Sequence, residues 1–155
     1  FINIFKNMSN LEYITGDLIS PWADVKMDVH DIPFNENTFN VVICNHVLEH
    51  VEDSDKVMQE FFRVMKPGGW GIFQVPIDNN NPKTIEDKSV IDPREREKLY
   101  WQSDHLRLFG RDYGAKLQLA GFKVTESNFI NEIDPFLVER YALPKNELVY
   151  FCEKI

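Results

Sequence analysis

The stretch that decides the fold is 41–75, VVICNHVLEHVEDSDKVMQEFFRVMKPGGWGIFQV. Its first part, Val41–Cys44, is rich in β-branched residues, which predicts a strand covered on both faces. Apolar residues then recur over 54–65 at the spacing of one helix face. The run 70–75 predicts a second strand. A strand, a helix and a strand in this order form a right-handed crossover between parallel neighbours, so the sequence indicates an α/β sheet.

The ends of this helix carry their own signals. Asp53 or Ser54 supplies an oxygen that can cap its first turn. Pro67-Gly68-Gly69 stops it, because proline cannot continue the hydrogen-bond ladder and glycine accepts a positive φ. Shorter patterns continue the alternation of strands and helices on both sides. They predict the end of a helix over 1–8, strands over 11–15 and 25–27, a helix over 111–120 that stops at Gly121, and a pair of strands over 122–125 and 148–152.

Residues 78–109 interrupt this regular pattern. Their first part, 78–104, is polar and charged, and we expect in it one short helix near 93–101. A long segment with little regular structure inside a compact domain is usually a functional lid or a disordered segment. The sequence therefore indicates a polar excursion or a lid at 78–109.

Aromatic and basic residues end this excursion: Tyr100, Trp101, His105 and Arg107. One interpretation is a substrate-binding lid, in which aromatic surface excludes water and the histidine or the arginine orients the substrate. The other interpretation is a surface helix that packs Tyr100 and Trp101 for stability. The sequence leaves both interpretations open.

The composition excludes several classes of protein. The 155 residues include 17 basic and 25 acidic side chains, and the net charge of −8 disfavours binding to nucleic acid or to an anionic membrane surface. No apolar run approaches the ~20 residues that cross a bilayer. Cys44 and Cys152 lie inside apolar runs without zinc-ligand spacing, which favours a reducing, cytoplasmic location. We expect a single domain over 1–155, and the oligomeric state stays open.

Two acidic residues follow predicted strands. Asp17 comes after the strand at 11–15, and Asp28 comes after the strand at 25–27. In open parallel sheets, ligands bind beyond the carboxyl ends of the strands. A carboxylate at such a place can accept hydrogen bonds from two ribose hydroxyls or from the amino group of an adenine. Aspartate is also a common turn residue, so each position alone is a weak indication.

Several spaced elements strengthen this indication. They are Asp28-Val-His-Asp-Ile-Pro-Phe34, a turn at 35–38, the run 39–44, Asn45-His-Val-Leu-Glu-His50, and Arg63-Val-Met-Lys-Pro-Gly-Gly69. In this order they resemble the class I S-adenosylmethionine-dependent methyltransferases, over 11–76 and more loosely over 105–155. The resemblance implies a Rossmann-like sheet, mostly parallel with an antiparallel C-terminal strand. It also implies S-adenosylmethionine as the cofactor and methyl transfer to a small or medium-sized acceptor.

The resemblance assigns roles to individual residues. Asp17 lies where the family holds the ribose hydroxyls, and Asp28 lies where it meets the adenine amino group. Val29 lies beside the adenine ring. Asn45 and His46 open the loop that flanks the methionine portion and faces the acceptor.

An acceptor that must lose a proton needs a base. His46 and His105 are the candidates for this catalytic role, because histidine exchanges protons near neutral pH. Asn40 departs from the family, which usually has aspartate at the start of this strand. That position is structural more often than catalytic, so the departure changes little.

One part of the family pattern is missing. The family binds the amino acid portion of the cofactor on a glycine-rich loop after its first strand, where backbone and ligand approach closely. None of the seven glycines precedes Gly16, so no such loop lies before Asp17. We therefore expect an N-terminally truncated domain. A strand, loop and helix unit of about 30–50 residues would precede Phe1 in the parent protein.

Two other functions remain as alternatives. One is a noncatalytic or degenerate fragment that keeps the methyltransferase fold without the activity. The other is a zinc hydrolase, because His46-Val-Leu-Glu49-His50 fits the His-x-x-Glu-His pattern of inverzincin metallopeptidases. In that pattern two histidines on one helix face hold zinc and the glutamate acts as base. No long helix or third ligand is predicted here, so no metal site is expected.

Overall fold

The computed structural model describes residues 2–145 and 147–155. The chain forms two compact units, Phe1–Pro33 and Phe34–Ile155. A single domain over 1–155 stays a prediction. Cys44 and Cys152 are both free thiols. None of the helices in the described residues has the length and apolar character needed to cross a membrane.

The first unit begins with a short helix. Helix α1 spans Ile2–Lys6 and confirms the helix predicted over 1–8, of which Phe1 lies outside the described residues. Lys6 at its end donates from Nζ to the Asp24 carboxylate at 2.8 Å. The same carboxylate accepts from the N–H and the hydroxyl of Thr15 at 2.9 and 2.7 Å. These hydrogen bonds, that of Lys6 above all, hold the pKa of Asp24 far below its usual range.

A short parallel ladder follows in this unit. Strand β1 (Gly16–Asp17) pairs with β2 (Val25–Lys26), which confirms the strand predicted over 25–27. The strand predicted over 11–15 is wrong. Pairing begins only where the Val25 N–H donates to the Thr15 carbonyl at 3.0 Å. The contact between Thr15 and Asp24 brings the two backbones together at that point.

The second unit is built on a four-stranded sheet. Its strands are β3 (Phe39–Asn45), β4 (Met65–Gln74), β5 (Lys123–Ser127) and β6 (Val149–Glu153), in the spatial order β3-β4-β6-β5. β3 and β4 are parallel, and β6 runs antiparallel to both β4 and β5. The fold is therefore α/β and Rossmann-like, mostly parallel with an antiparallel C-terminal strand, as predicted.

Helices connect these strands. Helix α2 (Ser54–Val64) links β3 to β4 and completes the predicted crossover, with the Asp53 carboxylate accepting from the Lys56 N–H at 2.9 Å. The helices predicted near 93–101 and over 111–120 are also present. The other helical elements are α3 (Pro93–Tyr100), α4 (Tyr113–Leu119), a 3₁₀ helix (Phe129–Glu132) and α5 (Pro135–Arg140), of which the last two are not predicted.

Backbone pairing holds both ends of the polar excursion. Ile77 forms an isolated parallel bridge with Phe109. Ile85 and Leu108 exchange two backbone hydrogen bonds of 2.9 Å. The two ends of the excursion at 78–109 are therefore paired with each other, on either side of α3.

Phe73 of β4 lies at the centre of the core and is wholly buried. Its ring stacks on Phe61 of α2, with 5.0 Å between the ring centroids, and lies 5.3 Å from Phe122. The Tyr113 hydroxyl of α4 donates to the Phe73 carbonyl at 3.1 Å. Burial raises the pKa of Tyr113 well above its usual value, so this hydroxyl keeps its proton.

β3 differs from the sequence expectation. Within its sheet it is an edge strand, and Val41 and Ile43 keep 38% and 42% of their surface exposed. The expectation that Val41–Cys44 is covered on both faces is therefore wrong for the described residues.

β4 starts earlier than the predicted strand at 70–75. It begins at Met65, directly after α2, and passes through Pro67-Gly68-Gly69. The register against β3 shifts at this place, and Gly68 takes a φ of +77°. A residue without a Cβ is needed there, because other residues rarely adopt this backbone conformation.

Replacing the central core ring should destabilise the fold strongly. Phe73→Ala is expected to lower the free energy of unfolding by about 3–5 kcal/mol, because ring contacts are lost and a cavity remains. Urea unfolding followed by far-UV circular dichroism measures this change. Leu119→Ala, at an exposed position of α4, is the matched control and should change it by less than about 0.5 kcal/mol. Equal effects of the two substitutions would contradict this description of the core.

Candidate functional site

The histidine loop, residues 46–52, connects β3 to α2. His46 begins it with a φ of +56° and donates its backbone N–H to the Gln74 carbonyl of β4 at 2.8 Å. The rest of the loop consists of turns and bends. The helix that the inverzincin interpretation requires is therefore not formed, and His46 and His50 do not share a helix face.

Arg107 holds the histidine loop in place. Its buried guanidinium donates to the carbonyls of Leu48 and Val51 at 2.6 Å each and to that of Glu52 at 3.1 Å. Glu86 accepts from the same guanidinium at 3.0 and 3.2 Å. A buried charge is tolerated when its donors and its charge are matched in this way. Arg107 is thus a structural clamp on the loop.

The two aromatic residues beside this clamp have different surroundings. Tyr100 is buried, and its hydroxyl accepts from the Asp87 N–H at 3.0 Å. Trp101 is exposed and adopts a φ of +72° directly after α3. Tyr100 therefore fits the interpretation of packing for stability, whereas Trp101 is available to contact a ligand.

Glu49 is buried within the histidine loop, with 1% of its surface exposed. Its Oε1 lies 3.2 Å from His46 Nδ1, and its backbone carbonyl accepts from the Leu106 N–H at 2.8 Å. Its Oε2 has no hydrogen-bond partner among the described residues. Burial, and after it the charge of Glu49, raises the pKa of the neighbouring Cys44 thiol to about 12. Cys44 therefore stays a thiol near neutral pH and is no nucleophile.

A cavity of about 480 Å³ opens beside His46. Its walls come from the residues that follow β3 and β4, from Trp101, and from residues in and before β6. Apolar and aromatic side chains form much of the lining: Val75, Pro76, Ile77, Trp101, Leu148 and Tyr150. Burial, and after it the charge of Glu126, raises the pKa of Tyr150 to about 12, so its hydroxyl is neutral. The cavity suits a small, largely apolar molecule.

The predicted nucleoside ligands lie in the first unit. Asp17 ends β1, and its Oδ1 accepts from the N–H groups of Ile19 and Ser20 at 2.9 and 2.7 Å. The hydrogen bond from Ser20 has the larger effect and that from Ile19 the smaller, and both lower the pKa of this exposed carboxyl below its usual value. Asp28 follows β2, and its Oδ1 accepts from the His30 N–H at 2.9 Å. Because β1 and β2 are parallel neighbours, both carboxylates follow the same edge of their ladder.

The other predicted site residues occupy different environments. Val29 is half-buried after Asp28, and Asn45 is the exposed last residue of β3. The His46 side chain is 61% exposed and lines the cavity. His105 is 4% exposed, and its Nδ1 lies 2.8 Å from the Tyr100 carbonyl. The lining of this cavity therefore includes His46 but not His105.

Sequence reasoning missed two parts of this site. The first is the clamp, because Arg107 meets the histidine loop across more than fifty residues of sequence. The second is the contribution of Leu148 and Tyr150 to the cavity. Pro76, which follows the run at 70–75, is a local signal for one wall of the cavity.

Residues 7–73 match a protein family described as a methyltransferase domain. A segment of 45 residues, 29% of this chain, is 42% identical to the ubiquinone/menaquinone biosynthesis C-methyltransferase UbiE of Idiomarina loihiensis and covers 18% of it. A segment of 67 residues, 43% of this chain, is 33% identical to the demethylmenaquinone methyltransferase of Staphylococcus carnosus and covers 23% of it. The chain thus matches less than a quarter of the length of these curated relatives.

A solved structure shares the fold. It is the 1,6-didemethyltoxoflavin-N1-methyltransferase of Burkholderia thailandensis with bound 1,6-didemethyltoxoflavin and S-adenosylhomocysteine. The TM-score is 0.58 at 14% identity, and the match covers 90% of this chain and 59% of that one. At this identity the similarity concerns the fold alone, and it agrees with the predicted Rossmann-like architecture.

Removing the guanidinium should loosen the histidine loop. Arg107→Met is expected to lower the free energy of unfolding by about 3–5 kcal/mol, because Glu86 and three loop carbonyls lose their partner. Hydrogen exchange should also become faster at the Leu106 amide, which donates to Glu49 in this loop. Arg94→Met, at an exposed position of α3, is the control. Unchanged exchange at Leu106 in Arg107→Met would show that the clamp is not needed.

Proposed function

We propose that this chain, whose residues 7–73 match a methyltransferase domain, is a class I methyltransferase that binds S-adenosylmethionine and takes part in methyl transfer to a small or medium-sized acceptor. The observation that carries this proposal is that match. The matched residues include Asp17 at the end of β1, Asp28 after β2, and the residues that open the histidine loop. The activity, acceptor and partners of the whole protein are part of the proposal.

Residues that fit the cofactor are present in the first unit. Asp17 would accept hydrogen bonds from the ribose hydroxyls, and Asp28 would accept one from the adenine amino group beside Val29. The amides of Ile19 and Ser20 keep the Asp17 carboxylate ionised and oriented. Both aspartates are exposed to a ligand, so their polar atoms suit a nucleoside.

Asn45 and His46 are proposed to flank the methionine portion of the cofactor. S-adenosylmethionine supplies an electrophilic methyl group on its sulfonium. The chain then has to place an acceptor in line with that group, and placement of this kind can contribute roughly 7–11 kcal/mol. The cavity beside His46 is the proposed place of the acceptor, and its lining favours a largely apolar molecule. The name of the Staphylococcus carnosus relative supports the same class of acceptor.

His46 is the better placed of the two candidate bases. It lines the cavity, and the Glu49 carboxylate lies 3.2 Å from its Nδ1 and holds the ring in place. His105 as a base stays a prediction. Its burial and its bond to the Tyr100 carbonyl favour a role in holding structure.

Loss of either nucleoside ligand should weaken cofactor binding. Calorimetric titration with S-adenosylhomocysteine is expected to give a micromolar Kd for the unaltered chain. Asp17→Asn and Asp28→Asn should each raise the Kd by about 10–100-fold, since a hydrogen bond to a charged group contributes about 1.5–3 kcal/mol. Asp31→Asn, at an exposed aspartate of the same segment, is the control. No heat with the unaltered chain would favour the noncatalytic fragment, and an equal loss in all three variants would remove both aspartates from the site.

Removing the proposed base should slow methyl transfer. With radiolabelled S-adenosylmethionine and demethylmenaquinone as the acceptor, His46→Ala is expected to lower kcat by about 10²–10⁴-fold. Added imidazole should restore part of the rate, because it can accept the proton in place of the missing side chain. An unchanged rate would remove His46 from the mechanism, and no transfer by the unaltered chain would exclude this acceptor.

A further inference from the structure

Three potential metal ligands, two of them in the histidine loop, lie close together. A carboxylate oxygen of Glu49 and one ring nitrogen each of His50 and His105 all lie within 4.8 Å of one another. Glu49 and His105 are buried, and His50 is half-buried. We propose that this Glu49–His50–His105 cluster binds a divalent transition metal ion of the zinc type.

The first support for this site is the buried carboxylate. Glu49 Oε2 is fully buried and has no hydrogen-bond partner among the described residues, while Oε1 lies near His46. An unpaired carboxylate oxygen away from water is costly, because its hydration is lost without replacement. The guanidinium of Arg107 does not meet this need, since its hydrogen bonds go to Glu86 and to three loop carbonyls. A bound cation would satisfy the orphaned oxygen directly.

The second support is the way in which the two histidines are held. His105 Nδ1 lies 2.8 Å from the Tyr100 carbonyl, which can only accept, so the proton must lie on Nδ1. His50 Nδ1 lies 3.3 Å from the Asp104 carboxylate, while its Nε2 faces Glu49 Oε1 at 4.0 Å. Each ring therefore presents Nε2 as the available nitrogen. Histidines that ligate metals show this arrangement, with the other ring N–H bonded to a carbonyl or a carboxylate.

The donor set and the backbone suit a metal of this type. Two imidazoles and one carboxylate are the protein ligands of many zinc sites that keep an open position. Donor atoms around tetrahedral zinc lie roughly 3.3 Å apart, so binding would require the present separations, which are within 4.8 Å, to shorten by up to about 1.5 Å. The backbone on both sides is already fixed, because the Leu106 N–H donates to the Glu49 carbonyl at 2.8 Å. Small side-chain movements are therefore sufficient.

This site differs from the inverzincin pattern. That pattern takes both histidines from one helix and uses the glutamate as a base, whereas here Glu49 is a ligand and the second histidine comes from the end of the polar excursion. A metal ion at this place would join the histidine loop to residues 104–107. Through the contact between Glu49 Oε1 and His46 it would also fix a ring that lines the cavity. The proposal does not depend on S-adenosylmethionine binding.

Metal titration of the full chain tests the site. After treatment with a chelator, the chain is titrated with zinc chloride in competition with a chromophoric chelator, and with cobalt(II) to read the visible absorption of a tetrahedral site. We expect one equivalent to bind, with a higher Tm in zinc. Glu49→Gln and His105→Gln should weaken binding by about 100-fold or more, and Asp104→Ala should weaken it by about 10-fold, as expected for a partner of a ligand.

The variant His50→Gln separates loss of zinc binding from loss of fold. Its side chain is the most exposed of the three, so its replacement disturbs the core least. It should lose zinc affinity while keeping the far-UV spectrum of the unaltered chain. His30→Asn removes a histidine outside the cluster and should bind zinc normally. Less than 0.1 equivalent of zinc in the unaltered chain, or normal affinity in a folded His50→Gln, would overturn the proposal. In that event the cluster is a pair of histidine rings in edge-to-face contact, with 4.7 Å between their centroids, beside a buried carboxylate.

Discussion

The arrangement of the second unit depends on one buried guanidinium. Arg107 donates five hydrogen bonds, to three carbonyls of the histidine loop and to both oxygens of Glu86. Isolated burial of such a charge costs several kcal/mol, so the guanidinium is stable only with all of these acceptors in place. The loop, in turn, has no helix or strand to satisfy its carbonyls. The loop and the guanidinium therefore require each other, and the hydrogen bonds to Leu48, Val51 and Glu52 fix the loop backbone at these residues.

The constraint has consequences for both the cavity and the buried carboxylate. His46 is anchored to β4 through its backbone N–H, and the rest of the loop is anchored to Arg107, so the imidazole is presented beside the end of the sheet. Glu49 lies between these two fixed points and is buried, and its Oε2 has no hydrogen-bond partner among the described residues. The exposed His46 ring and the buried Glu49 carboxylate are thus in contact within the histidine loop. Chemistry at the cavity and ion binding beneath it would share the Glu49 side chain.

The sequence predicts the local part of this fold well. The β3–α2–β4 unit follows from periodicity and from the signals at the ends of α2, because both act between residues close in sequence. The two-residue strand β1 was misplaced, since a contact between Thr15 and Asp24 decides where pairing begins. The exposure of Val41 could not be foreseen either, because it depends on which strands are neighbours rather than on the strand itself.

In the site, too, the features set by residues close in sequence were predicted and those set by distant contacts were not. Asp17 and Asp28 were predicted from their places after strands, which is a local property. The His-x-x-Glu-His pattern suggested a helix, but the loop carbonyls that a helix would bond internally accept from Arg107 instead. The proximity of His105 to Glu49 also depends on residues far apart in sequence. Sequence spacing could reveal neither this proximity nor the contacts of Arg107.

The central claim is that the first unit binds the nucleoside portion of S-adenosylmethionine through Asp17 and Asp28. The most direct measurement is a nuclear magnetic resonance titration of the isotope-labelled chain of 18.2 kDa with S-adenosylhomocysteine. The account predicts saturable shifts of the amides at 16–18 and 28–29 with one common dissociation constant. Shifts confined to other residues, or different constants for the two segments, would contradict it.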